Sequence, residues 1–309
     1  MDIMSEILVA TEKPFASDAI TKIKKVTDGS KHKLQILEKY SSKEELKNAI
    51  KQSEALIVRS DLIDKEIIDA AEKLRIIVRA GAGFDNIDTA YAASKNIVVM
   101  NTPGQNANAV AEYAFGMMLY QARHHFNGST GIELKGKKLG LIGFGNIGRC
   151  MTKIAKGFGM EVYAYDVNPN PSAMIQENVT PLGSAAEIFS SCNFVSLHVP
   201  STPETKGSIN YDLLKLLPKH AILINTARLD VVNEADLIKI MEERNDLSFD
   251  SDFTPKNESV FKEKFADRCF YPVKKAGAQT EEANANAGIA AARQIVNFFD
   301  KGDLTFKVN

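Results

Sequence analysis

The sequence contains no tryptophan and only three cysteines among its 309 residues. Cys150, Cys192 and Cys269 are odd in number and scattered, which indicates neither a disulfide framework nor a metal site. No apolar run approaches the roughly 18 residues that a membrane-spanning helix needs. Residues 1–13 have an acidic start and too short an apolar run for a signal peptide. These absences predict a reducing, cytoplasmic compartment.

The sequence also lacks an excess of charge of either sign, because 38 Lys and Arg residues face 39 Asp and Glu residues. A formal net charge of -1 does not favour nucleic acid or a membrane as the main partner. The hydrophobic content of 44% is ordinary for a globular protein, and the length allows two domains. A local cluster of Arg and Lys could still bind an acidic small molecule.

Glycine is concentrated in one informative stretch, LGLIGFGNIGR at residues 139–149. An apolar strand, a glycine turn and a helix in this order are typical of a dinucleotide site. Gly143 permits a tight turn, Gly145 lets a pyrophosphate approach the backbone, and Gly148 lets the helix lie close to the strand. The helix N-terminus would then bind the phosphates. The alternative is a glycine-rich turn in some other α/β protein.

A second predicted strand at residues 160–165 ends in Asp166. A carboxylate at this position can accept a hydrogen bond from the adenosine ribose 2′-hydroxyl, and it would repel a 2′-phosphate. The sequence therefore predicts NAD rather than NADP as the cofactor.

Strands and helices alternate along the whole chain, which predicts an α/β fold with parallel sheets that carry helices on both faces. The predicted strands are residues 7–10, 34–37, 55–58, 76–78, 97–100, 138–142, 160–165, 194–199, 221–225, 247–249, 269–271 and 304–308. The predicted helices include residues 17–26, 42–51, 64–72, 88–94, 106–124, 149–158 and 281–300. Polar side chains follow several strands, and ligands bind at the carboxyl ends of strands in open α/β sheets.

Six blocks along the chain carry a family resemblance. They are RAGAGFDNID at 79–88, VVMNTPGQN at 98–106 with AE at 111–112, GFGNIG at 143–148, LHVPSTPET at 197–205, INTAR at 224–228 and GAQTEEA at 277–283. In this order they resemble the NAD-dependent D-2-hydroxyacid dehydrogenase family, most closely its D-3-phosphoglycerate dehydrogenases. Because the blocks extend over most of the chain, they are together far more specific than any one alone.

The resemblance implies two doubly wound parallel-sheet domains. A Rossmann-type NAD domain, residues 104–280, would be inserted into a flavodoxin-like substrate-binding domain, residues 1–103 and 281–309. Members are usually homodimers through the NAD domain. The chain stops after the predicted last strand, so we expect a short enzyme without the C-terminal regulatory domain of longer relatives.

The implied activity is NAD-dependent oxidation of D-3-phosphoglycerate to 3-phosphohydroxypyruvate, the first step of serine biosynthesis. Two alternatives stay open. One is a reductase for glyoxylate, hydroxypyruvate or another 2-keto acid. The other is an NAD-sensing scaffold without catalysis.

The resemblance also implies the catalytic residues. Arg228 matches the family arginine that holds the substrate carboxylate, and a planar guanidinium suits a carboxylate. Lys275 stands where the family usually has its histidine base, and burial with neighbouring cations would lower the pKa of a lysine there. Asp252 matches the aspartate that contacts the nicotinamide amide, and Glu258 is a possible acid although the family spacing is not kept. His198 is the alternative base.

Binding residues follow from the same blocks. For the cofactor they are Gly143, Gly145, Asn146, Ile147, Gly148, Asp166, His198, Val199, Pro200, Thr205, Thr226, Ala227, Arg228, Asp252, Lys275, Gly277 and Ala278. For the substrate they are Arg59, Ser60, Arg79, Ala80, Gly81, Ala82 and Asn106. Two arginines facing one pocket suit a phosphate, so Arg59 and Arg79 predict a phosphorylated 2-hydroxy acid. The alternative for Arg59 is a surface ion pair, and no metal site is expected.

Overall fold

The computed structural model describes residues 4–309, so the first three residues of the segment inspected for a signal peptide lie outside the described residues. The chain divides into two compact units. The discontinuous unit comprises Met1–Asn106 and Thr280–Asn309, and the inserted unit comprises Ala107–Gln279. No helix within residues 4–309 has both the length and the apolar character needed to cross a membrane.

The discontinuous unit contains a five-stranded parallel sheet in the order β2-β1-β3-β4-β5. Its strands are β1 (Glu6–Thr11), β2 (Lys33–Glu38), β3 (Ala55–Val58), β4 (Ile76–Arg79) and β5 (Val98–Asn101). Its helices are α1 (Ser17–Asp28), α2 (Lys43–Ile50), α3 (Lys65–Ala70), α4 (Thr89–Ser94) and α12 (Glu281–Lys301). The whole of β3 is buried, because helices cover both faces of the sheet.

Alternate residues of each strand pack on opposite faces of this sheet, as the strand pleat requires. Leu56 and Val58 join one apolar cluster, whereas Ala55 and Ile57 join another that contains the alanine-rich face of α12. Several helices begin where a side-chain oxygen accepts an N–H of the first turn. These N-caps are Ser42, Asp64, Asp88 and Thr280.

The inserted unit contains a seven-stranded parallel sheet in the order β12-β11-β10-β9-β6-β7-β8. Its strands are β6 (Lys138–Ile142), β7 (Glu161–Tyr165), β8 (Thr180–Pro181), β9 (Phe194–Leu197), β10 (Ile222–Asn225), β11 (Ser248–Ser251) and β12 (Cys269–Phe270). Its helices are α5 (Ala107–Ala122), α6 (Asn146–Gly157), α7 (Pro171–Gln176), α8 (Ala185–Ser191), α9 (Tyr211–Leu214), α10 (Glu234–Glu243) and α11 (Glu258–Lys264). Short 3-10 turns occupy His124–Phe126 and Leu229–Val231.

The strand order of the inserted unit reverses between β6 and β9. The chain runs from β6 outward to β8, and then returns to β9 on the other side of β6. Such a switch point leaves a crevice beyond the carboxyl ends of the two central strands, and ligands of open α/β sheets bind there. The glycine turn follows β6 directly, so the fold places it at this crevice.

The predicted α/β class with parallel sheets is confirmed, but one predicted strand is wrong. Residues 304–308 form a turn with a single antiparallel bridge from Lys307 to Met100. Gly302 ends α12 with a left-handed φ of 67°, and Asp303 then accepts hydrogen bonds from both the N–H and the hydroxyl of Thr305. These local bonds keep the segment from extending. The strand β8 (Thr180–Pro181) was not predicted, because two residues are too few to show an alternating pattern. Helix α6 begins at Asn146, three residues before the predicted start at residue 149.

Candidate active site

The glycine turn after β6 is held by close backbone contacts. Gly143 has a left-handed φ of 96°, and a Cβ there would lie 2.7 Å from the carbonyl oxygen of His198. A Cβ on Gly148 would lie 2.8 Å from the carbonyl oxygen of Gly143, so helix α6 can approach the turn only with glycine at this position. These two positions tie the turn to β6, to the end of β9 and to α6.

Gly145 differs from the other two glycines, because a Cβ there would meet no heavy atom within 4 Å. It is the N-cap of α6, and no side chain caps the helix. The first N–H groups of a helix have no partner within the helix. This helix start therefore presents donors and the positive end of the helix dipole to open space, which suits a pyrophosphate.

Asp166 follows β7 and holds the glycine turn in place. Its Oδ2 accepts a hydrogen bond of 2.8 Å from the N–H of Phe144, and its Oδ1 accepts one of 2.9 Å from the N–H of Asn168. Each carboxylate oxygen can accept a second hydrogen bond, so the carboxylate can still accept one from a ribose hydroxyl. The sequence indicated only the ribose role, since the bond to Phe144 depends on the packing of β6 beside β7.

Buried polar atoms without partners lie at the ends of β9 and β10. Among residues 4–309, the two ring nitrogens of His198 and the Oγ1 of Thr226 have no hydrogen-bond partner. Burial lowers the pKa of His198 to about 3, which argues against His198 as the alternative base because a base needs proton affinity near neutral pH. Unpartnered atoms of this kind are satisfied when a polar ligand binds, so both residues fit a cofactor site.

Arg228 lies just beyond β10, and its backbone is fixed by Asn225. The Asn225 side chain donates 2.9 Å to the carbonyl oxygen of Arg228 and accepts 3.1 Å from the N–H of Ala227. The Arg228 Nη1 donates 2.8 Å to the Ala227 carbonyl oxygen. Asn225 is fully buried, so it is a positioning residue that the sequence indicated only as a polar strand end.

Lys275 lies in the loop after β12 and is exposed. Its Nζ is 4.6 Å from the ring centroid of Phe253. The Oδ1 of Asp252 accepts hydrogen bonds of 2.7 Å from Ala276 and 3.0 Å from Gly277, the next two residues. Burial raises the pKa of Asp252 despite these bonds and the nearby charge of Lys275. Burial was expected around Lys275 itself, but the structure buries Asp252 instead.

Glu258 is the first residue of α11, and its carboxylate lies 2.8 Å from the Nζ of Lys262 on an exposed helix face. This contact gives no support to Glu258 as an acid that partners Lys275. Asn146 and Ile147 are the first two residues of α6, and the remaining predicted cofactor residues lie in two loops. After β9, the Thr205 hydroxyl donates 2.6 Å to the carbonyl oxygen of Pro200, and Val199 is packed against the core. Ala278 follows Gly277 in the Lys275 loop.

Arg59 in the discontinuous unit is half-buried, and its guanidinium is held by the protein. Nη1 donates 3.0 Å to the carbonyl oxygens of Lys13 and of Pro14, and Nη2 donates 2.5 Å to the Asn284 side chain. The guanidinium also lies 5.0 Å from the ring centroid of Phe15. Burial lowers the pKa of Arg59. The alternative prediction for Arg59 was a surface ion pair, whereas the contacts described here are to two main-chain carbonyl oxygens, an amide side chain and an aromatic ring.

Asp61 supports the backbone beneath Arg59, a role that no sequence motif indicated. It is buried and accepts hydrogen bonds from the N–H groups of Glu12 (2.7 Å) and Arg59 (3.2 Å) and from the hydroxyl of Tyr40 (2.7 Å). Burial and this carboxylate raise the pKa of Tyr40. The only available signal was an acidic residue three positions after the buried strand β3.

Arg79 ends β4 and lies against the backbone that follows it. Its Nε donates 2.9 Å to the Arg59 carbonyl oxygen. A Cβ on Gly81 would lie 1.3 Å from the Nη1 of Arg79, so the guanidinium occupies the space that a side chain would need. Ala80 and Gly81 are buried, and the carbonyl oxygen of Ala82 accepts 2.6 Å from the Asn101 side chain. Ser60 is exposed, and Asn106 is half-buried at the end of the first segment of this unit.

Known proteins resemble this chain in sequence and in fold. The family described as "D-isomer specific 2-hydroxyacid dehydrogenase, NAD binding domain" matches residues 118–268. A crystal structure of NAD+-bound 3-phosphoglycerate dehydrogenase from Entamoeba histolytica is 46% identical, covers 99% of each chain and has a TM-score of 0.89. The hydroxypyruvate reductase of Thermotoga maritima is 39% identical over 222 residues, which are 67% of this chain and 71% of the relative.

A third relative, the D-3-phosphoglycerate dehydrogenase of Methanocaldococcus jannaschii, is 35% identical over 272 residues, which are 82% of this chain. The chain spans 51% of that relative's length. Together with the glycine turn, the matches confirm two predictions, the Rossmann-type fold and NAD as the cofactor.

Proposed function

Because this chain belongs to the D-isomer specific 2-hydroxyacid dehydrogenase family, we propose that it oxidises D-3-phosphoglycerate to 3-phosphohydroxypyruvate with NAD. This reaction is the first step of serine biosynthesis. One observation carries the proposal, the 46% identity over 99% of both chains to the 3-phosphoglycerate dehydrogenase of Entamoeba histolytica.

The cofactor would be held by the glycine turn, by the open start of α6 at Gly145 and by Asp166. When bound, NAD supplies the acceptor for the hydride that leaves C2 of the substrate. The side chains of this protein must then orient the hydroxy acid and remove one proton from it.

Arg228 is assigned to the substrate carboxylate. A guanidinium presents parallel N–H donors that match a carboxylate in a bidentate manner. The cation also stabilises negative charge on the oxygen that becomes the carbonyl oxygen. Asn225 holds the carbonyl oxygen of Arg228 and the N–H of the preceding residue, Ala227, so the arginine is presented from a fixed strand end.

Lys275 is assigned as the base. In oxidation, its neutral Nζ takes the C2 hydroxyl proton as C2 loses hydride, and in reduction the ammonium returns the proton. Arg228 follows β10 and Lys275 follows β12, with β11 between them. Both therefore lie at the carboxyl edge of the same sheet, where the catalytic groups of such folds are found.

The phosphate is assigned to Arg59 and Arg79. A guanidinium has five N–H donors, and the contacts described for Arg59 use three of them. Two donors thus remain for an anion. The Nε of Arg79 donates to the Arg59 backbone, so the two cations are kept adjacent.

The test compares kcat/KM for D-3-phosphoglycerate with that for D-glycerate by NADH absorbance. Charge-assisted contacts to the phosphate are expected to favour the phosphorylated substrate by roughly tenfold or more. Equal values would favour the second candidate, a hydroxypyruvate or glyoxylate reductase, which the Thermotoga maritima relative supports. No turnover with any 2-hydroxy acid, together with tight NADH binding, would indicate a non-catalytic NAD sensor.

We also propose that the protein acts as a homodimer through the inserted unit and resides in the cytoplasm. Light scattering coupled to size-exclusion chromatography would measure the mass of the particle, and a monomer mass would contradict the first part.

A further inference from the structure

Asp252 is an aspartate whose main contacts are with the loop that carries Lys275. It lies one residue beyond β11 and is fully buried. A single oxygen, Oδ1, accepts both the Ala276 N–H at 2.7 Å and the Gly277 N–H at 3.0 Å. Two hydrogen bonds to consecutive main-chain groups fix the position of a loop more strongly than one, and a charged acceptor strengthens both.

The loop also packs against Asp252 so closely that only glycine fits. A Cβ on Gly277 would lie 2.8 Å from the Asp252 Oδ2 and 3.4 Å from the Cδ1 of Tyr113. The main chain at residue 277 therefore lies in a narrow space between Asp252 and the Tyr113 ring of α5. This packing is independent of the two hydrogen bonds, and it constrains Gly277, one of the two residues that they hold.

The residue next to Asp252 contacts the Lys275 side chain. The Nζ of Lys275 lies 4.6 Å from the centroid of Phe253, within range of a cation–π interaction. Two consecutive residues after β11 thus contact both the side chain of Lys275 and the main chain that follows it.

We propose that Asp252 is a positioning residue, which acts through the loop and sets where the Lys275 amine meets the substrate. This inference rests on the proposed function of Lys275 as the base. The family resemblance implies a different role, a contact to the nicotinamide amide. Oδ1 already bonds the loop, whereas Oδ2 is buried without a hydrogen-bond partner among the described residues, so the experiment has to separate the two roles.

The charge of Asp252 has a second consequence. A carboxylate near an ammonium favours the charged form, and the two charges of Asp252 and Lys275 do interact. The other titratable groups near Asp252 are Asp250 on β11 and Tyr113 on α5. Burial and the carboxylates of Asp252 and Asp250 raise the pKa of Tyr113 to about 12, so its hydroxyl stays protonated. Burial also raises the pKa of Asp250.

The experiment combines Asp252→Ala and Asp252→Asn in the full chain. Asp252→Ala removes the acceptor for both loop N–H groups, and we expect kcat to fall by about 100-fold because a displacement near 1 Å costs that much. The Kd for NADH should stay within about twofold of wild type. Asp252→Asn retains an acceptor oxygen and should recover most of kcat. Without the negative charge, its oxidation rate should reach half-maximum at lower pH than wild type.

Two further variants make the result decisive. Gly277→Ala leaves every titratable group intact but pushes the loop away from Asp252, so it should lower kcat without the pH displacement of Asp252→Asn. Asp267→Ala is the matched control, because Asp267 is an exposed aspartate of the same unit, and it should keep the wild-type kcat. If Asp252→Ala does not fold, the pH profile of Asp252→Asn still tests whether Asp252 acts on Lys275.

Each contrary outcome has a distinct meaning. A rise in the Kd for NADH that matches the loss of kcat would assign Asp252 to the nicotinamide instead. Wild-type kcat and pH profile in Asp252→Asn and Asp252→Ala would refute the positioning role while leaving Lys275 as the base. If Lys275→Met keeps its activity, the proposed base is wrong, which is a separate failure from that of Asp252.

Discussion

Gly81→Ala is expected to disable the substrate side of the protein without any change in charge. A Cβ at position 81 would lie 1.3 Å from the Nη1 and 2.3 Å from the Cζ of Arg79. Non-bonded heavy atoms need about 3.5 Å, so the guanidinium would have to move by roughly 2 Å. The Arg79 Nε lies 3.1 Å from the same Cβ position and bonds the Arg59 carbonyl oxygen, so we expect the shift to break this hydrogen bond.

The magnitude follows from the contacts that the shift removes. The Arg79 Nε donates 2.9 Å to the Arg59 carbonyl oxygen, and a bond of this kind contributes about 1 kcal/mol to stability. A cation that no longer meets the substrate anion loses a charge-assisted hydrogen bond, about 1.5–3 kcal/mol. This second loss corresponds to a decrease in kcat/KM of roughly 10- to 150-fold.

Steady-state kinetics with D-3-phosphoglycerate measures this loss, and a fluorescence titration measures the Kd for NADH. The Kd should be unchanged, because the glycine turn belongs to the inserted unit. Gly116→Ala is the matched control, since a Cβ at Gly116 meets nothing within 4 Å, and it should keep wild-type kinetics. If Gly81→Ala keeps the wild-type kcat/KM, Arg79 does not contact the substrate and our assignment of the phosphate site is wrong.

Three other predictions concern the cofactor, the phosphate and the base. Asp166→Ala should weaken NAD binding and relieve discrimination against NADP, and it should lower Tm because the N–H groups of Phe144 and Asn168 lose their acceptor; a wild type that already prefers NADPH would contradict the ribose assignment. Arg59→Ala should raise KM for the phosphorylated substrate with little change in NAD affinity, whereas an equal loss with D-glycerate would remove Arg59 from the phosphate site. Only a neutral amine accepts a proton, so the oxidation rate should rise with pH as the Lys275 ammonium loses its proton. Lys275→Met should lower kcat strongly while NADH still binds, and Lys275→His should move the profile toward the imidazole range; near wild-type kcat in Lys275→Met would place the base elsewhere.

The sequence by itself determined those features that depend only on residues close together along the chain. The alternation of apolar strands with helices indicated parallel sheets, because burial on both faces requires continuous apolar runs. The glycine turn could be predicted because its steric requirements arise within a few consecutive residues. Gly143 has a left-handed φ, and a Cβ on Gly148 would clash with the carbonyl oxygen of Gly143. The strand predicted at residues 304–308 failed for a related reason, since hydrogen bonds at Asp303 outweigh a short apolar pattern.

Tertiary structure alone decided what the polar side chains contact. Arg59 bonds Asn284, which is 225 positions away in the sequence, and no local pattern reports a pair at that distance. Asp252 was predicted to contact the cofactor, and only the folded structure shows that its Oδ1 also bonds loop residues 24 and 25 positions later. A side chain that can bond many partners takes those that the packed sheet brings within about 3 Å, and this choice exists only once the chain has folded.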